Sequence, residues 1–303
     1  MKKTLIAMGA CAGLVLAGAA AAQNDFSNVE IKTTKIVDGI YMLEGAGGNI
    51  GLSVGDDGAF VIDDQFAPLA SKIVAAIAAA TDKPVEFVLN THWHGDHTGG
   101  NEAMGGLGAH IVAHDNVRTR LKEGLTRAGG GVTPPAPEGA LPVITFSKTI
   151  SFYWNGQDIW VWHPEAAHTD GDAIIFFKTA NVVHMGDAFF NGGYPYVDLE
   201  SGGDLDGCIA THEKVLGKID DKTKIIPGHG ALASRADLAK TVAMLKDVRA
   251  RVRAQIDAGL DEDAAVAADP LKDLNGEWGK GYINGERMVR TAYKSLTAHG
   301  HEH

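Results

Sequence analysis

Two β-sheets packed face to face with helices outside are the α/β architecture that this sequence predicts. Three observations lead there. Short runs of β-branched or aromatic residues, separated by Gly or Asp, cluster in the first half of the chain. A second such cluster follows in the second half, and helix-like segments flank both. No change of composition divides the chain into independent domains.

Taken in order, strands are expected at Lys35 to Val37, Ile40 to Leu43, Ile50 to Val54 and Ala59 to Ile62. An alanine-rich helix is expected from Pro68 to Ala80. Val85 to Leu89 reads as a strand and runs straight into a group of histidines. A helix is expected over 115–127. The chain then passes Gly129-Gly130-Gly131 and continues through Pro134, Pro135 and Pro137. A loop of roughly 15 residues is long enough to be functional, so 128–142 is a candidate lid with glycine hinges. Strands follow at Thr149 to Trp154, Asp158 to Trp162, Ala173 to Lys178 and Val182 to Met185. A helix from about Asp204 to Ile219 precedes the strand Lys224-Ile225-Ile226, and helices close the chain at about 234–257 and 283–297.

The bulk numbers permit a large core. Of 303 residues, 45% are hydrophobic and 21% charged, which excludes general disorder. The net charge is −11 and no basic stripe is present, so nucleic acid is excluded as a partner and a small-molecule substrate is expected. Residues 1–22 read as a signal peptide. Lys2 and Lys3 start it, an apolar stretch follows, and Ala20-x-Ala22 gives the cleavage pattern before Gln23. The stretch is shorter than the roughly 20 apolar residues of a spanning helix, so no stable membrane insertion is expected after cleavage. The mature protein, 23–303 as one domain, is expected to be periplasmic or secreted. Its only cysteine would be Cys208, which forbids an internal disulfide and reads as a small buried residue.

The chemistry is concentrated in Thr91-His92-Trp93-His94-Gly95-Asp96-His97. His92 and His94 are two apart in extended backbone, so both point to one side and can share a metal. Asp96 and His97 follow the Gly95 turn and can serve a neighbouring metal. Imidazole and carboxylate together suit zinc, with iron or manganese as the alternatives. His110, His114, His163, His184 and His212 lack ligand spacing, and the tail His299, His301 and His303 reads as a frayed terminus.

This segment resembles the metallo-β-lactamase superfamily, whose hallmark H-x-H-x-D-H it matches in full at 92–97. The resemblance covers about residues 30–232 and implies a four-layer αββα sandwich with the site at the edge of the sheets. It implies that one zinc ion takes His92, His94 and His168, and a second takes Asp96, His97 and His229, with Asp187 between them. It further implies that Asp63 orients a ligand histidine, with Asp172 a lesser candidate for the same task. The activity implied is hydrolysis by a water that the metals activate and Asp96 orients.

Three substrates fit that chemistry: a β-lactam, a lactone and a thioester. Export makes the β-lactam the favoured reading, with a lactone or a thioester as the alternatives. The ligand set leans toward the other two, because an aspartate stands at 187 and Phe190 occupies the place where zinc β-lactamases carry a carboxylate-gripping lysine. Arg118, Arg120 or Arg127 would then have to hold the drug carboxylate. Trp93, Tyr194 and Tyr196 are expected as aromatic walls. The non-hydrolase alternatives are a di-iron redox protein and a metal-binding protein without catalysis.

Overall fold

The structure, a computed structural model, describes residues 25–298. The expected signal peptide and the tail histidines therefore lie outside the described residues.

The first sheet has seven strands, in the order Lys32–Val37, Ile40–Glu44, Ile50–Ser53, Ala59–Ile62, Val85–Leu89, His110–His114 and Ile144–Phe146. Its first four strands run antiparallel and the rest pair in parallel. Helix Ala70–Ala80 makes the crossover that the first parallel pair requires. The second sheet has six strands, in the order Thr149–Trp154, Gln157–Trp162, Ile174–Phe177, Val182–Phe190, Lys224–His229 and Ala233–Ser234. Only Val182–Phe190 and Lys224–His229 pair in parallel, and helix Leu205–Leu216 supplies that crossover.

Strand alternation separates the layers. Phe60 and Ile62 face Ile175, Phe177 and Ile226 across the space between the sheets. Their neighbours Val61 and Leu52 face the opposite way and pack on Ile73 and Ile77 of the first helix. Ile174, Phe176 and Ile225 pack against Cys208 and Val215 of the second sheet's helix. The result is the four-layer αββα sandwich. Beyond it, helices Arg235–Asp257, Glu262–Ala267, Asn275–Trp278 and Gly285–Ala298 build a further core on Leu205 and Ile209, around Leu245, Val248, Met288 and Leu296.

Some boundaries differ from expectation. The helix expected over 115–127 stops at Glu123, because Gly124 adopts φ +70° with the backbone of Thr133 and Pro134 packed against it. Leu125–Thr126 then pairs with Val132–Thr133. The expected long loop is thus largely a hairpin and a turn of 3₁₀ helix at Glu138–Ala140. Strand Val182–Phe190 of the second sheet extends past the expected Met185.

Candidate metal centre

The seven expected ligands converge where strand ends meet at one edge of the sandwich. His92, His94, His168 and Asp187 form one group, and Asp96, His97 and His229 form another. Val85–Leu89 delivers the histidine segment, Val182–Phe190 delivers Asp187, and Lys224–His229 ends on His229. Two glycines make room. A Cβ on Gly48 would overlap the His97 ring, and one on Gly228 would overlap Asp187 Oδ1.

Hydrogen bonds fix which nitrogen of each imidazole is free. Asp63 accepts from the Thr91 backbone N–H at 2.7 Å, from the Thr91 hydroxyl at 2.8 Å and from His97 Nδ1 at 2.7 Å. Having donated its only proton, the Thr91 oxygen accepts from His92 Nδ1 at 3.0 Å. His168 Nδ1 donates to the Tyr196 carbonyl at 2.7 Å, and His94 Nε2 to Asp198 at 2.8 Å. The free atoms are therefore Nε2 of His92, His97 and His168, and Nδ1 of His94.

These free nitrogens approach one another. His94 Nδ1 lies 3.2 Å from His92 Nε2 and 2.9 Å from His168 Nε2, with no proton left to place between them. Lone pairs at such separations repel unless a cation lies among them. Nitrogens about 2.0–2.1 Å from a tetrahedral zinc ion stand roughly 3.3 Å apart, close to this spacing. Burial holds His92 well below the usual imidazole range and His168 down to about 4, so both present lone pairs at neutral pH. In the other group His97 Nε2 lies 3.0 Å from Asp187 Oδ1, yet both atoms are buried without a hydrogen-bond partner. His229 Nε2 is 3.3 Å from Asp96 and 3.3 Å from Asp187 Oδ1. Asp187 Oδ2 turns to the first group, 3.8 Å from His92 and 3.7 Å from His168. One carboxylate thus offers an oxygen to each group. Burial alone would depress His97, but Asp187, Asp96 and Asp63 outweigh it and raise its pKa well above the usual range. The cluster is suited to a metal ion.

Asp63 touches both the His97 ring and, through Thr91, the His92 ring. The Asp172 carboxylate is bonded to neither ring, and the Asp172 backbone carbonyl accepts from His163 Nδ1 at 2.7 Å. The carboxylate accepts from the backbone N–H and hydroxyl of Thr169 at 3.0 and 2.6 Å and so holds the turn that carries His168. Burial pushes its carboxyl up to about 7. A raised carboxyl pKa means that the fold retains a proton the unfolded chain releases. Asp172 therefore subtracts stability progressively as pH rises from 3.8 to about 7. Asp172→Asn, which cannot titrate, is expected to gain on the wild type by on the order of a few kcal/mol across that window. Urea midpoints of both proteins at about pH 5 and about pH 8 test this, and a pH-independent difference refutes it.

Asp198 was not legible in the sequence, since it stands 104 positions from its partner His94. It is buried, and it also accepts from Ser201 at 2.7 Å and from Arg127 at 3.1 Å. Burial opposes its charge, yet the bonds from His94, Arg127 and Ser201 hold it far below the usual carboxylate range.

The edge that carries the metal-suited groups opens into a cleft of about 860 Å³. Tyr194 and Tyr196 line it as expected, but Trp93 does not. Trp93 is buried against Ala113, Val117 and Leu121, with its indole N–H on Ser201. Of the three arginines considered, only Arg127 reaches the cleft, and Asp198 and Glu200 neutralise it. Arg120 pairs with Asp170, and Arg118 donates to the Pro142 carbonyl. No residue of 128–142 is among those that line the cleft. Phe190 does line it, stacked on the His229 ring at 5.0 Å. His184 stays outside the metal-suited groups, with Nε2 on the Asn49 carbonyl at 3.0 Å.

A two-sheet sandwich that gathers histidines and aspartates from both halves at one edge presents a metal-suited site. The chain belongs to the metallo-beta-lactamase superfamily, whose family model matches residues 43–230. It is 29% identical over 213 residues to a hydroxyacylglutathione hydrolase of Polaromonas sp., covering 68% of this chain and 71% of that one. A protein of the same name from Nitrosococcus oceani is 29% identical over 200 residues, covering 61% and 66%. Among solved structures, a metallo-beta-lactamase from Pontibacter korlensis superposes with a TM-score of 0.60 at 19% identity, covering 72% of this chain and all of that one. The sec-alkylsulfatase Pisa1 from Pseudomonas sp. gives 0.67 at 17%, covering 87% of this chain and 50% of that one. At these identities the structural likeness shows the fold alone.

Proposed function

We propose that this chain is a metal-dependent thioester hydrolase, with His92, His94 and His168 holding one zinc ion and Asp96, His97 and His229 a second. The observation that carries the proposal is Asp187, which offers one oxygen to each group. Zinc fits a donor set dominated by nitrogen, and iron or manganese are its competitors. Bound zinc supplies a water whose pKa is lowered to about 7.

The chain's own residues do the rest. Burial would raise the Asp96 carboxyl, but His97 and His229 outweigh it and lower its pKa, so it stays ionised and can orient the attacking water by accepting a hydrogen bond from it. Asp63 and Asp198 hold the imidazole rings so that the free nitrogens keep their aim. Phe190 and Tyr196 exclude water from the cleft walls.

Two considerations favour a thioester over a β-lactam. The relatives named above are hydroxyacylglutathione hydrolases, and the position three residues after Asp187 carries a phenyl ring where a carboxylate grip would be needed. Those relatives also favour a hydrolase over the redox and non-catalytic alternatives. With zinc supplied, an acyl-glutathione is expected to be cleaved with a higher kcat/KM than an acyl lactone or nitrocefin, and chelation should abolish the activity. A nitrocefin rate above that of the thioester would overturn the substrate assignment. Thioester cleavage that survives chelation and His92→Ala would overturn the metal assignment.

A further inference from the structure

Arg287 and Tyr282 line the same cleft, from a part of the chain beyond residue 230, where the family match ends. Arg287 sits in the first turn of helix Gly285–Ala298, with its backbone N–H capped by Asn284 Oδ1 at 2.9 Å. That end of a helix carries partial positive charge and disfavours a cation. No ion pair offsets this. Among the described residues no carboxylate lies within ion-pair distance of the Arg287 guanidinium, and its neighbour Glu286 pairs with Arg290 instead. The two arginines of the cleft thus differ sharply, since Arg127 is bound by two carboxylates.

The guanidinium is nevertheless held in place. Nη1 donates to the Tyr282 carbonyl at 2.9 Å, Nη2 reaches the Tyr282 hydroxyl at 3.4 Å, and the group lies over that ring at 4.4 Å. Tyr282 is itself 71% exposed, so the fold does not need its ring as core. Two of five N–H donors are used on Tyr282, which leaves three that can serve a carboxylate. Phe66, Phe190, Tyr194 and Tyr196 add aromatic surface to the cleft, among glycines and the polar residues of the site.

We infer that the substrate carries a single carboxylate at the end remote from the scissile carbonyl, joined to it by an apolar or aromatic body, and that Arg287, braced by Tyr282, binds this carboxylate. The inference rests on the thioester reading above and specifies its substrate.

Phenylacetyl thioesters test it: those of N-acetylcysteamine, which is neutral, of 3-mercaptopropionate, with one carboxylate, and of glutathione, with two. The 4-carboxyphenylacetyl thioester of N-acetylcysteamine puts the charge on the acyl side. In the wild type one of the monocarboxylates should exceed the neutral thioester by about tenfold in kcat/KM, mainly through KM, and glutathione should add nothing further. Arg287→Gln should collapse that ratio toward one and Arg287→Lys should restore part of it. Binding of the uncleavable thioether 3-(benzylthio)propionate, read by calorimetry, should weaken about tenfold in Arg287→Gln. A carboxylate preference that is absent, or that persists in Arg287→Gln, overturns the inference while leaving the thioester reading intact. If no thioester is cleaved, the thioether decides: binding that is equal in the two proteins overturns the inference independently, and binding lost in Arg287→Gln supports the site while the thioester reading falls.

Discussion

Asp187→Ala is expected to lower turnover by more than about 100-fold, beyond the loss typical of a residue that only supports a ligand. The same change should release metal from the Asp96, His97 and His229 group before the other. The geometry gives the order. Asp187 Oδ1 stands 3.0 Å from His97 Nε2 and 3.3 Å from His229 Nε2, whereas Oδ2 is 3.7 to 3.8 Å from the nearest nitrogens of the first group. The first group keeps three imidazole nitrogens without Asp187, while the second keeps two imidazoles and the half-buried Asp96. Metal per chain, measured by mass spectrometry of the native protein, should fall toward one ion. Retention of two ions with full turnover would remove Asp187 from the site.

What the sequence shows and what it hides follow from how far each constraint reaches along the chain. The six residues 92–97 are local, so extended backbone at His92 and His94 and the turn at Gly95 could be read directly. Continuous apolar runs such as Ala59 to Ile62 and Ile174 to Phe177 revealed the strands, because each face packs on a different layer. The partners of the ligand histidines were less accessible. Asp63 could be proposed because it ends a buried strand, but Asp198 and the Tyr196 carbonyl reach His94 and His168 only after the second sheet has folded against the first. The cleft arginines illustrate the same limit. Arg118, Arg120 and Arg127 looked equivalent beside a glycine-rich stretch, yet ion pairs with Asp170 and Asp198 commit two of them to structure. Arg287 drew no notice, since only the packing of the C-terminal helices on Leu205 and Ile209 carries it to the cleft.

Asp63→Asn is expected to lower metal affinity and turnover by about 10–100-fold, although no atom of Asp63 belongs to either metal-suited group. The backbone tolerates the change. Asp63 adopts φ +62°, a left-handed conformation that asparagine also enters readily, so the substitution adds no new strain. The loss comes from hydrogen-bond polarity. Asp63 is fully buried and accepts three bonds, two of them on Oδ2, from the Thr91 hydroxyl and from His97 Nδ1. An asparagine can keep its oxygen on the Thr91 backbone N–H, but its NH₂ then replaces Oδ2 and faces two donors. His97 can meet that NH₂ only by accepting through Nδ1, which moves its proton to Nε2 and removes the lone pair aimed at the second group. The Thr91 hydroxyl must also rotate, and the bond it accepts from His92 Nδ1 weakens. One atom exchange therefore reaches a histidine of each group. Metal content and kcat/KM for the thioester, titrated against added zinc, should recover partly at high zinc, because affinity is impaired rather than the fold. Thermal melts of the chelated proteins separate the two effects: the melting temperature should fall by only a few degrees, for about 1 kcal/mol lost. Full metal content and turnover in Asp63→Asn at limiting zinc would show that the His97 tautomer is set by something other than Asp63.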